Sequence, residues 1–489
     1  MLLFLLAILA IAAYYFGINR ILGLPPGPPP LPLIGNMLSF DWDMDKIFLE
    51  WKARYGRIFT VWLPYPMVVI GDHKVLQEHV AKSGDVFLGK KNPEQLMFIV
   101  CGGQYGLLFE DNDMVKEQRK FAQKSLHEVG FGSAALEDTV HHYAQEIVNR
   151  WRKSEGAEVD VTENIMRAVG NIVWNITFGI TLEFDNPLLI KFRQLQQELS
   201  PLMAGPHMMF VETFPFIREL DFLLGYKFKQ LRDLSEEIND YLREAIKTTE
   251  ASFNADNQAS SYVESFLAEQ KRREATGKPM GNFHYAQMLN SAATLWGAGF
   301  DTTVSILRMC CLELVNHSEV QSKLQNEIDS VIGERRIRND DQKLLPYMCA
   351  FLQEVYRLGK VLPLNFIRKT MQDTEIEGHL IRAGTSVLPQ FSMVHTDPNE
   401  FERPDYFCPE RHLNEEGAFV KDPRITPFSI GRRACLGETL ARMEIFVMFA
   451  TFVQTCHFAA IGKIPPMIEF TTGFSRAVTD FVVKIQPRN

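Results

Sequence analysis

The sequence predicts a mainly helical fold with a small β region, built as one large domain. Helical patterns dominate from about residue 72 to about residue 335, with polar loops near 153–160 and 252–261. Residues 57–71 have the composition of two short strands around a Pro-Tyr-Pro turn. No internal repeat, long linker or second shift in composition divides the 489 residues, so a single domain is expected in spite of the length.

Composition and charge narrow the classes of protein that fit this chain. Hydrophobic residues make up 46%, including 36 Phe and 19 Met, which is ample for a large and adaptable core. The net charge of −9 and the lack of a basic stripe with interleaved aromatics argue against a nucleic-acid binder. Seven cysteines, an odd number without the spacing of a disulfide framework, suit a reducing compartment.

Residues 1–20 predict a membrane anchor. The run 1–18 is uncharged and rich in Leu, Ile and Ala, and as a helix it would extend about 27 Å, enough to cross the apolar part of a bilayer. Arg20 follows this run and no Lys or Arg precedes it, which favours a retained anchor with a cytoplasmic domain over a cleaved signal peptide. Residues 21–36 hold a proline-rich run that predicts a stiff hinge, and residues 37–489 form the large domain.

The most distinctive stretch is a glycine-punctuated loop at residues 427–437, followed by an apolar helical run. Gly431 and Gly437 let the backbone turn and approach a flat ligand closely. Helix-end N–H groups and Arg433 are placed to hold Cys435 as a thiolate, the form that binds metal. A structural cysteine buried on a loop is the alternative interpretation.

Together with Phe428, these residues fill all five fixed positions of F-x-x-G-x-R-x-C-x-G. The segment therefore resembles the haem-binding signature of the cytochrome P-450 superfamily. The resemblance implies the mainly helical haem-thiolate fold of that family and haem b with Cys435 as its axial ligand. It also implies that Phe428, Arg433 and Gly437 contact the cofactor, and that Arg119 and Arg368 contact its propionates.

The helix of Arg119 departs from the family pattern at one position. Val115 stands where the family usually has Trp, and valine has no N–H to donate to a propionate. On the same helix, Lys116, Lys120 and Lys124 recur every fourth residue and share one face. That face is either a solvated charged surface or a basic patch that docks an acidic electron-transfer partner.

Residues 298–303 match the family's A-G-x-[DE]-T-[TS] helix. The Thr302 hydroxyl competes for a carbonyl one turn back, which, beside Gly299, predicts a local opening of the helix. Asp301 supplies an ionisable group and Thr302 a hydroxyl, a short proton relay that makes them the predicted catalytic pair. Phe300 points to the opposite face and is expected in the core. An ordinary buried helix is the alternative.

Glu354 and Arg357 lie three residues apart on a predicted helix and can pair within one turn. By resemblance, Arg411 is the third member of a structural network beneath the haem. His412 stands where the family usually has Phe, a change expected to affect packing more than catalysis. Removing one member of a buried ion pair costs ~3–5 kcal/mol, because it leaves an uncompensated charge.

The substrate pocket is expected to be apolar. Residues 361–368 predict a strand at its edge, and a hairpin is expected over 374–385. Residues 200–218 mix Pro, Gly, Met and Phe without a clean period, which indicates a lid over the pocket or a loop that dips into the membrane. The family resemblance gives these pocket residues: Phe98, Phe109, Met208, Phe210, Ala298, Val361, Leu362, Asn365, Phe366 and Phe474.

The layout resembles the animal microsomal branch of the family, which contains drug- and steroid-metabolising enzymes. This implies a monooxygenase of the endoplasmic reticulum membrane that inserts one oxygen atom of O2 into a lipid, steroid or xenobiotic. Electrons would come from NADPH through a flavoprotein reductase, with cytochrome b5 as a further candidate partner. A haem-thiolate isomerase or dehydratase acting on a peroxide is the alternative, although the intact pair Asp301 and Thr302 argues against it. A non-enzymatic haem sensor or carrier is a third reading.

Overall fold

The computed structural model has the predicted mainly helical architecture with small sheets. It describes residues 5–6, 8–10, 13, 23–31, 33–40, 44–63, 65–90, 103, 105–108, 112–154, 157–203, 211–212, 214–225, 227–462, 466, 468–471 and 475–488.

The longer helices are labelled α1 to α11. They are α1 (Met44–Tyr55), α2 (Asn112–Glu128), α3 (Ala134–Lys153), α4 (Val161–Phe178), α5 (Pro187–Met203), α6 (Phe228–Ser252), α7 (Tyr262–Thr276), α8 (Tyr285–Asn316), α9 (Ser318–Val331), α10 (Pro346–Gly359) and α11 (Glu438–Thr455). Shorter turns lie between them, namely His73–Val75 running into a π-helical turn Leu76–Ala81, Asp221–Leu224 and Phe391–His395.

Helix α8 is the centre of the fold, and it packs along α4, α10 and α11. Gly299 allows α8 to approach α4 closely, because a Cβ there would lie 3.1 Å from a methyl of Val173. One residue on, Phe300 is 3% exposed and stacks on Trp296 with ring centroids 5.2 Å apart. The expectation that Phe300 belongs to the core is therefore confirmed, and the adjacent pair Cys310 and Cys311 is fully buried as well.

The strands in the described part of the chain form three small sheets. The largest has the order β1-β2-β7-β4, a second has the order β3-β9-β8, and β5 and β6 form a hairpin. Their bounds are β1 (Ile58–Leu63), β2 (Tyr65–Ile70), β3 (Glu158–Asp160), β4 (Arg368–Lys369), β5 (Thr374–Ile376), β6 (His379–Ile381), β7 (Ser386–Pro389), β8 (Cys456–Ala459) and β9 (Val482–Pro487).

The two strands predicted over 57–71 are confirmed as the antiparallel pair β1 and β2, but the predicted turn is shorter than expected. Tyr65 and Pro66 lie inside β2, where Pro66 faces Trp62. Proline fits this position because β7 pairs with β2 only from Met67 onward. The ladder between these two strands therefore needs no N–H from residue 66.

The strand predicted over 361–368 is wrong except at its end, since only Arg368 belongs to a strand. Side-chain hydrogen bonds take the place of a β-ladder here. The Asn365 N–H donates to the side chain of Gln390 (3.0 Å), and the Asn365 side chain accepts from the N–H of Phe391 (2.7 Å). The hairpin expected over 374–385 is confirmed, with its second strand ending at Ile381.

The proline-rich run packs against the first sheet. The carbonyl of Pro25 accepts from the Thr60 hydroxyl (2.7 Å) and that of Pro26 from the Thr60 N–H (3.0 Å). A Cβ on Gly27 would lie 1.8 Å from the Thr60 carbonyl oxygen, so only glycine allows this contact. Of the predicted anchor, only a few residues are described. Among the described residues, no helix combines the length and apolar character needed to cross a membrane.

Candidate cofactor site

The loop that carries Cys435 is closed by its own backbone. The Cys435 N–H donates to the Phe428 carbonyl (2.8 Å), and the Ala434 N–H donates to the Gly431 carbonyl (3.0 Å). Gly431 has φ of +73°, and a Cβ there would lie 2.7 Å from the backbone oxygen of Val80. Both the conformation and the space therefore require glycine. The result is a compact loop that presents Cys435 at the start of α11.

The Cys435 side chain is exposed, and the groups around its sulphur act on its pKa in opposite directions. Desolvation by the surrounding loop raises the pKa of the thiol. A hydrogen bond from the Gly437 N–H and the positive charges of Arg119 and Arg442 act to lower it. The cation expected beside the sulphur was Arg433, but the Arg433 guanidinium reaches the Leu88 carbonyl instead (2.6 Å from Nη2).

Two arginines from distant parts of the chain converge on this loop. Arg119 of α2 donates to the carbonyl of Ala434, next to the cysteine. Arg368 of β4 donates to the hydroxyl of Ser429 (2.9 Å) and to the carbonyl of Ile430 (3.4 Å). Burial, together with the charge of Arg119, lowers the pKa of Arg368 to about 10. Within the described ranges, neither arginine pairs with a carboxylate. A site with uncompensated guanidinium charge suits an anionic ligand.

One further cation in this region was not predicted from the sequence. Lys90 is 5% exposed, and its ammonium lies 4.9 Å from the ring centroid of Phe366, a predicted pocket residue. Lys90 lies two residues after Leu88, whose carbonyl accepts a hydrogen bond from Arg433. No motif marks Lys90 in the sequence, because only the fold brings residues 88–90 to the loop. An exposed thiol, a glycine-shaped loop and several cations together fit a flat cofactor with acidic side groups.

On α8, both predicted catalytic side chains are engaged in hydrogen bonds. The Thr302 hydroxyl donates to the Ala298 carbonyl (2.7 Å), one turn back as expected. The helix nevertheless runs without interruption through this point, so the predicted local opening is not present. The Asp301 carboxylate accepts from the hydroxyl of Ser475. Burial raises the pKa of Asp301, while the Ser475 hydrogen bond and the charge of Arg308 act to lower it.

The structure brings together the three residues of the predicted network. Glu354 and Arg357 are fully buried and joined at 2.8 Å, and Nε of Arg411 lies 3.0 Å from Glu354. His412 is a fourth member, because its Nε2 lies 2.8 Å from the Glu354 carboxylate. His412 was expected to change packing more than catalysis, and the structure adds this hydrogen bond to its packing role. Although burial would raise the pKa of Glu354, hydrogen bonds from Arg357 and His412 lower it to about 2.

A model of the cytochrome P450 family matches residues 25–485. The chain belongs to the cytochrome P450 family. It is similar to probable cytochrome P450 CYP36A1 of Caenorhabditis elegans, with 37% identity over 96% of either chain. Cytochrome P450 2K1 of Oncorhynchus mykiss is 32% identical over 89% of this chain and 85% of its own length. Cytochrome P450 2G1 of Oryctolagus cuniculus is 30% identical, with coverages of 91% and 88%.

Membership of the cytochrome P450 family establishes the class of enzyme and of cofactor. The protein is an oxidoreductase, a haem-thiolate monooxygenase. Cytochrome P450 enzymes use haem b with a cysteine thiolate ligand and O2, and they take electrons from NAD(P)H through a redox partner. They generally bind apolar substrates.

Half of the pocket residues predicted for this cytochrome P450 lie outside the described residues. These are Phe98, Phe109, Met208, Phe210 and Phe474. Of the others, Ala298 is exposed on α8, one turn before Thr302. Asn365 bonds to Gln390 through its N–H and to Phe391 through its side-chain oxygen, so that oxygen is held by the protein itself. The remaining residues, Val361, Leu362 and Phe366, are partly buried.

The three lysines of the predicted docking face lie on α2, as expected. Lys116 pairs with Asp85 (2.5 Å) and Lys124 with Glu128 (3.5 Å), and these four side chains are between 46% and 73% exposed. Exposed pairs of this kind contribute little to stability and can be exchanged for a partner's charges. Val115, on the same helix, is fully buried, so the side chain at this position of the cytochrome P450 motif packs inside the protein.

Proposed function

We propose that Cys435 would bind the iron of haem b as a thiolate and that Arg119, Arg368 and Arg433 would hold the haem propionates. Support comes from an exposed thiol on a loop that Arg119 and Arg368 reach from distant parts of the chain and to which Arg433 itself belongs. Phe428 and Gly437 complete the contact surface. Phe428 packs edge-on against Tyr356 with centroids 5.7 Å apart, which keeps its ring in a fixed position.

We infer that the enzyme hydroxylates an apolar lipid, steroid or xenobiotic. Thiolate-ligated haem, when bound, supplies the activation of dioxygen and the transfer of an oxygen atom to a C–H bond. The overall reaction converts substrate C–H, O2, NADPH and a proton into C–OH, water and NADP+. The chain's own contribution is to bind and orient the substrate and to deliver protons in order.

Asp301 and Thr302 are the proposed proton relay. Asp301 holds or releases a proton at its carboxyl group, and the Thr302 hydroxyl can pass one on because it both donates and accepts. Burial raises the pKa of the Asp301 carboxyl, which is the direction that favours a proton carrier. An isomerase acting on a peroxide needs no such relay, so this pair favours the monooxygenase.

The membrane and the redox partner complete the proposal. Residues 1–20 anchor the enzyme in the endoplasmic reticulum membrane, residues 21–36 are the hinge, and residues 37–489 form the cytoplasmic catalytic domain. Exposed apolar side chains support a membrane contact of the segment after α5, since Phe216 is 64% exposed and Phe222 87%. Lys116, Lys120 and Lys124 dock an NADPH-dependent flavoprotein reductase, with cytochrome b5 as a second electron donor.

Turnover with reductase and NADPH tests this function. A spectral binding screen first selects a substrate among lipids, steroids and xenobiotics. NADPH consumption and hydroxylated product are then measured in the wild type and in Thr302→Ala. Loss of the hydroxyl should leave NADPH consumption in place and divert it to hydrogen peroxide, with less product per NADPH. Conversion of an organic peroxide without NADPH, and without an effect of Thr302→Ala, would support the isomerase instead.

A further inference from the structure

A hairpin near the C-terminus contacts the proposed proton relay. Its two described arms are residues 468–471 and 475–480. The arms are joined by backbone hydrogen bonds, among them Thr471 N–H to the Ala477 carbonyl (2.7 Å). The first residue of the second arm is Ser475, which is 9% exposed. This small polar side chain is therefore buried where the hairpin meets α8.

The Ser475 hydroxyl donates to Oδ2 of Asp301, 174 residues away along the chain. No other described group donates a hydrogen bond to this carboxylate. Thr302, the next residue of the proposed relay, donates to the Ala298 carbonyl (2.7 Å) rather than to Asp301. Both relay groups thus have other partners at rest, and no hydrogen bond joins the Asp301 carboxylate to the Thr302 hydroxyl in the described residues.

The second arm is fixed on both sides of this contact. The N–H of Arg476 donates to the carbonyl of Val361 (2.7 Å), a predicted pocket residue. Asp480 accepts from Arg308 of α8 (2.9 Å) and from Arg193 of α5 (3.0 Å). Because these contacts join the arm to α8, α5 and the segment of Val361, the Ser475 hydroxyl is held at a set place relative to Asp301.

We propose that Ser475 is a positioning residue for Asp301, whose carboxyl it holds against the hairpin and releases toward Thr302 during proton delivery. This inference rests on the proposed monooxygenase function and adds a residue that lies outside the motif of the relay. A hydroxyl suits the role, since its single hydrogen bond is strong enough to orient a carboxylate and weak enough to break in each turnover.

Ser475→Ala, Asp301→Asn and the double variant test the proposal in turnover with reductase and NADPH. Ser475→Ala should lower product per NADPH about threefold to tenfold, the range that corresponds to one hydrogen bond. Ser475→Thr keeps the hydroxyl and should retain most of the wild-type ratio. In the Asp301→Asn background, Ser475→Ala should have no further effect. Equal ratios in Ser475→Ala and wild type, or the same loss in both backgrounds, would overturn the proposal.

A second readout does not depend on turnover. The thermal midpoints of the four haem-loaded proteins form a double-mutant cycle for the contact between Ser475 and Asp301. Ser475→Ala should lower the midpoint less in the Asp301→Asn background than in the wild type, whereas equal shifts would overturn the contact. If the wild type makes no oxidised product, the proposed function is wrong. The thermal cycle then still shows whether Ser475 and Asp301 interact.

Thr471→Val is the matched control. It also removes a hydroxyl from the hairpin, one that donates to the Ala477 carbonyl at 3.1 Å, without touching Asp301. Product per NADPH should stay at the wild-type value in this variant. A loss as large as that in Ser475→Ala would mean that loosening the hairpin is enough, and this would also overturn the role of Ser475.

Discussion

The Nε2 atom of His412 lies 2.8 Å from the carboxylate of Glu354 at a fully buried position. Glu354 therefore has three cationic or donor side chains around it, two arginines and a histidine. Arg357 also donates to the carbonyls of His395 (2.7 Å) and Pro404 (2.6 Å). The network thus fixes the chain between β7 and the cysteine loop to α10, beneath the proposed haem site.

The network should give the protein a defined acid limit. The pKa of Glu354 is lowered in the folded state to about 2, so its stabilisation is complete above about pH 5 and is lost as the pH falls toward 2. A shift of this size corresponds to about 3 kcal/mol. His412→Phe should move the loss of haem to higher pH, because Glu354 loses a donor. The measurement is haem absorbance against pH, with His412→Gln, which can still donate, as the control. Identical acid profiles for wild type and His412→Phe would contradict the assignment.

Gly431 should be essential to the cysteine loop. Gly431→Ala introduces a Cβ 2.7 Å from a backbone oxygen at φ of +73°, so the loop must move. Gly462→Ala is a matched control, since Gly462 has φ of +81° and no atom within 4 Å of the added Cβ. Both variants carry backbone strain of about 1 kcal/mol, but Gly431→Ala alone should lose haem. Haem content per polypeptide measures this, and equal retention in the two variants would contradict the prediction.

The docking face should be sensitive to salt. Replacing Lys116, Lys120 and Lys124 with Ala should slow the first electron transfer from the reductase, and the deficit should shrink as salt rises, because exposed charges are screened within ~8–10 Å at physiological ionic strength. Stopped-flow reduction under carbon monoxide measures the rate.

The control for this prediction is a triple alanine variant of three exposed lysines that also form local ion pairs. These are Lys229, Lys247 and Lys271. The control should reduce at the wild-type rate at every salt concentration. A deficit in the α2 variant that does not change with salt would point to a folding defect rather than to docking.

Local patterns were enough to predict the helical fold, the first strand pair and the cysteine loop. Each depends on residues close together in the sequence, as in the loop around Cys435 and the helix of Asp301. The prediction of a strand over 361–368 was wrong because hydrogen bonds to the side chains of Gln390 and Asn365 replace the backbone ladder of a strand there. Hydrophobic periodicity cannot show that replacement. His412 was missed as a network member because its partner, Glu354, lies 58 residues away.

The same limit applies to the charges around the cofactor site. Arg119 meets Ala434 across 315 residues, and Arg433 meets Leu88 across 345 residues. A motif identifies each arginine, but only the packing of α2 and of the segment around Leu88 against the cysteine loop shows which carbonyl it binds. Ser475 carries no motif of its own, so its contact with Asp301 was not predictable from the residues around it.

The carbon-monoxide difference spectrum of the reduced protein tests the central claim most directly. Cys435→Ala should abolish the strongly red-shifted band that a thiolate ligand causes, while the matched variant Cys408→Ala, at another cysteine that is not fully buried, should keep it. Circular dichroism confirms that both variants are folded. Loss of the band in Cys435→Ala alone is the predicted result. A red-shifted band that survives in folded Cys435→Ala would contradict the assignment of Cys435 as the haem ligand.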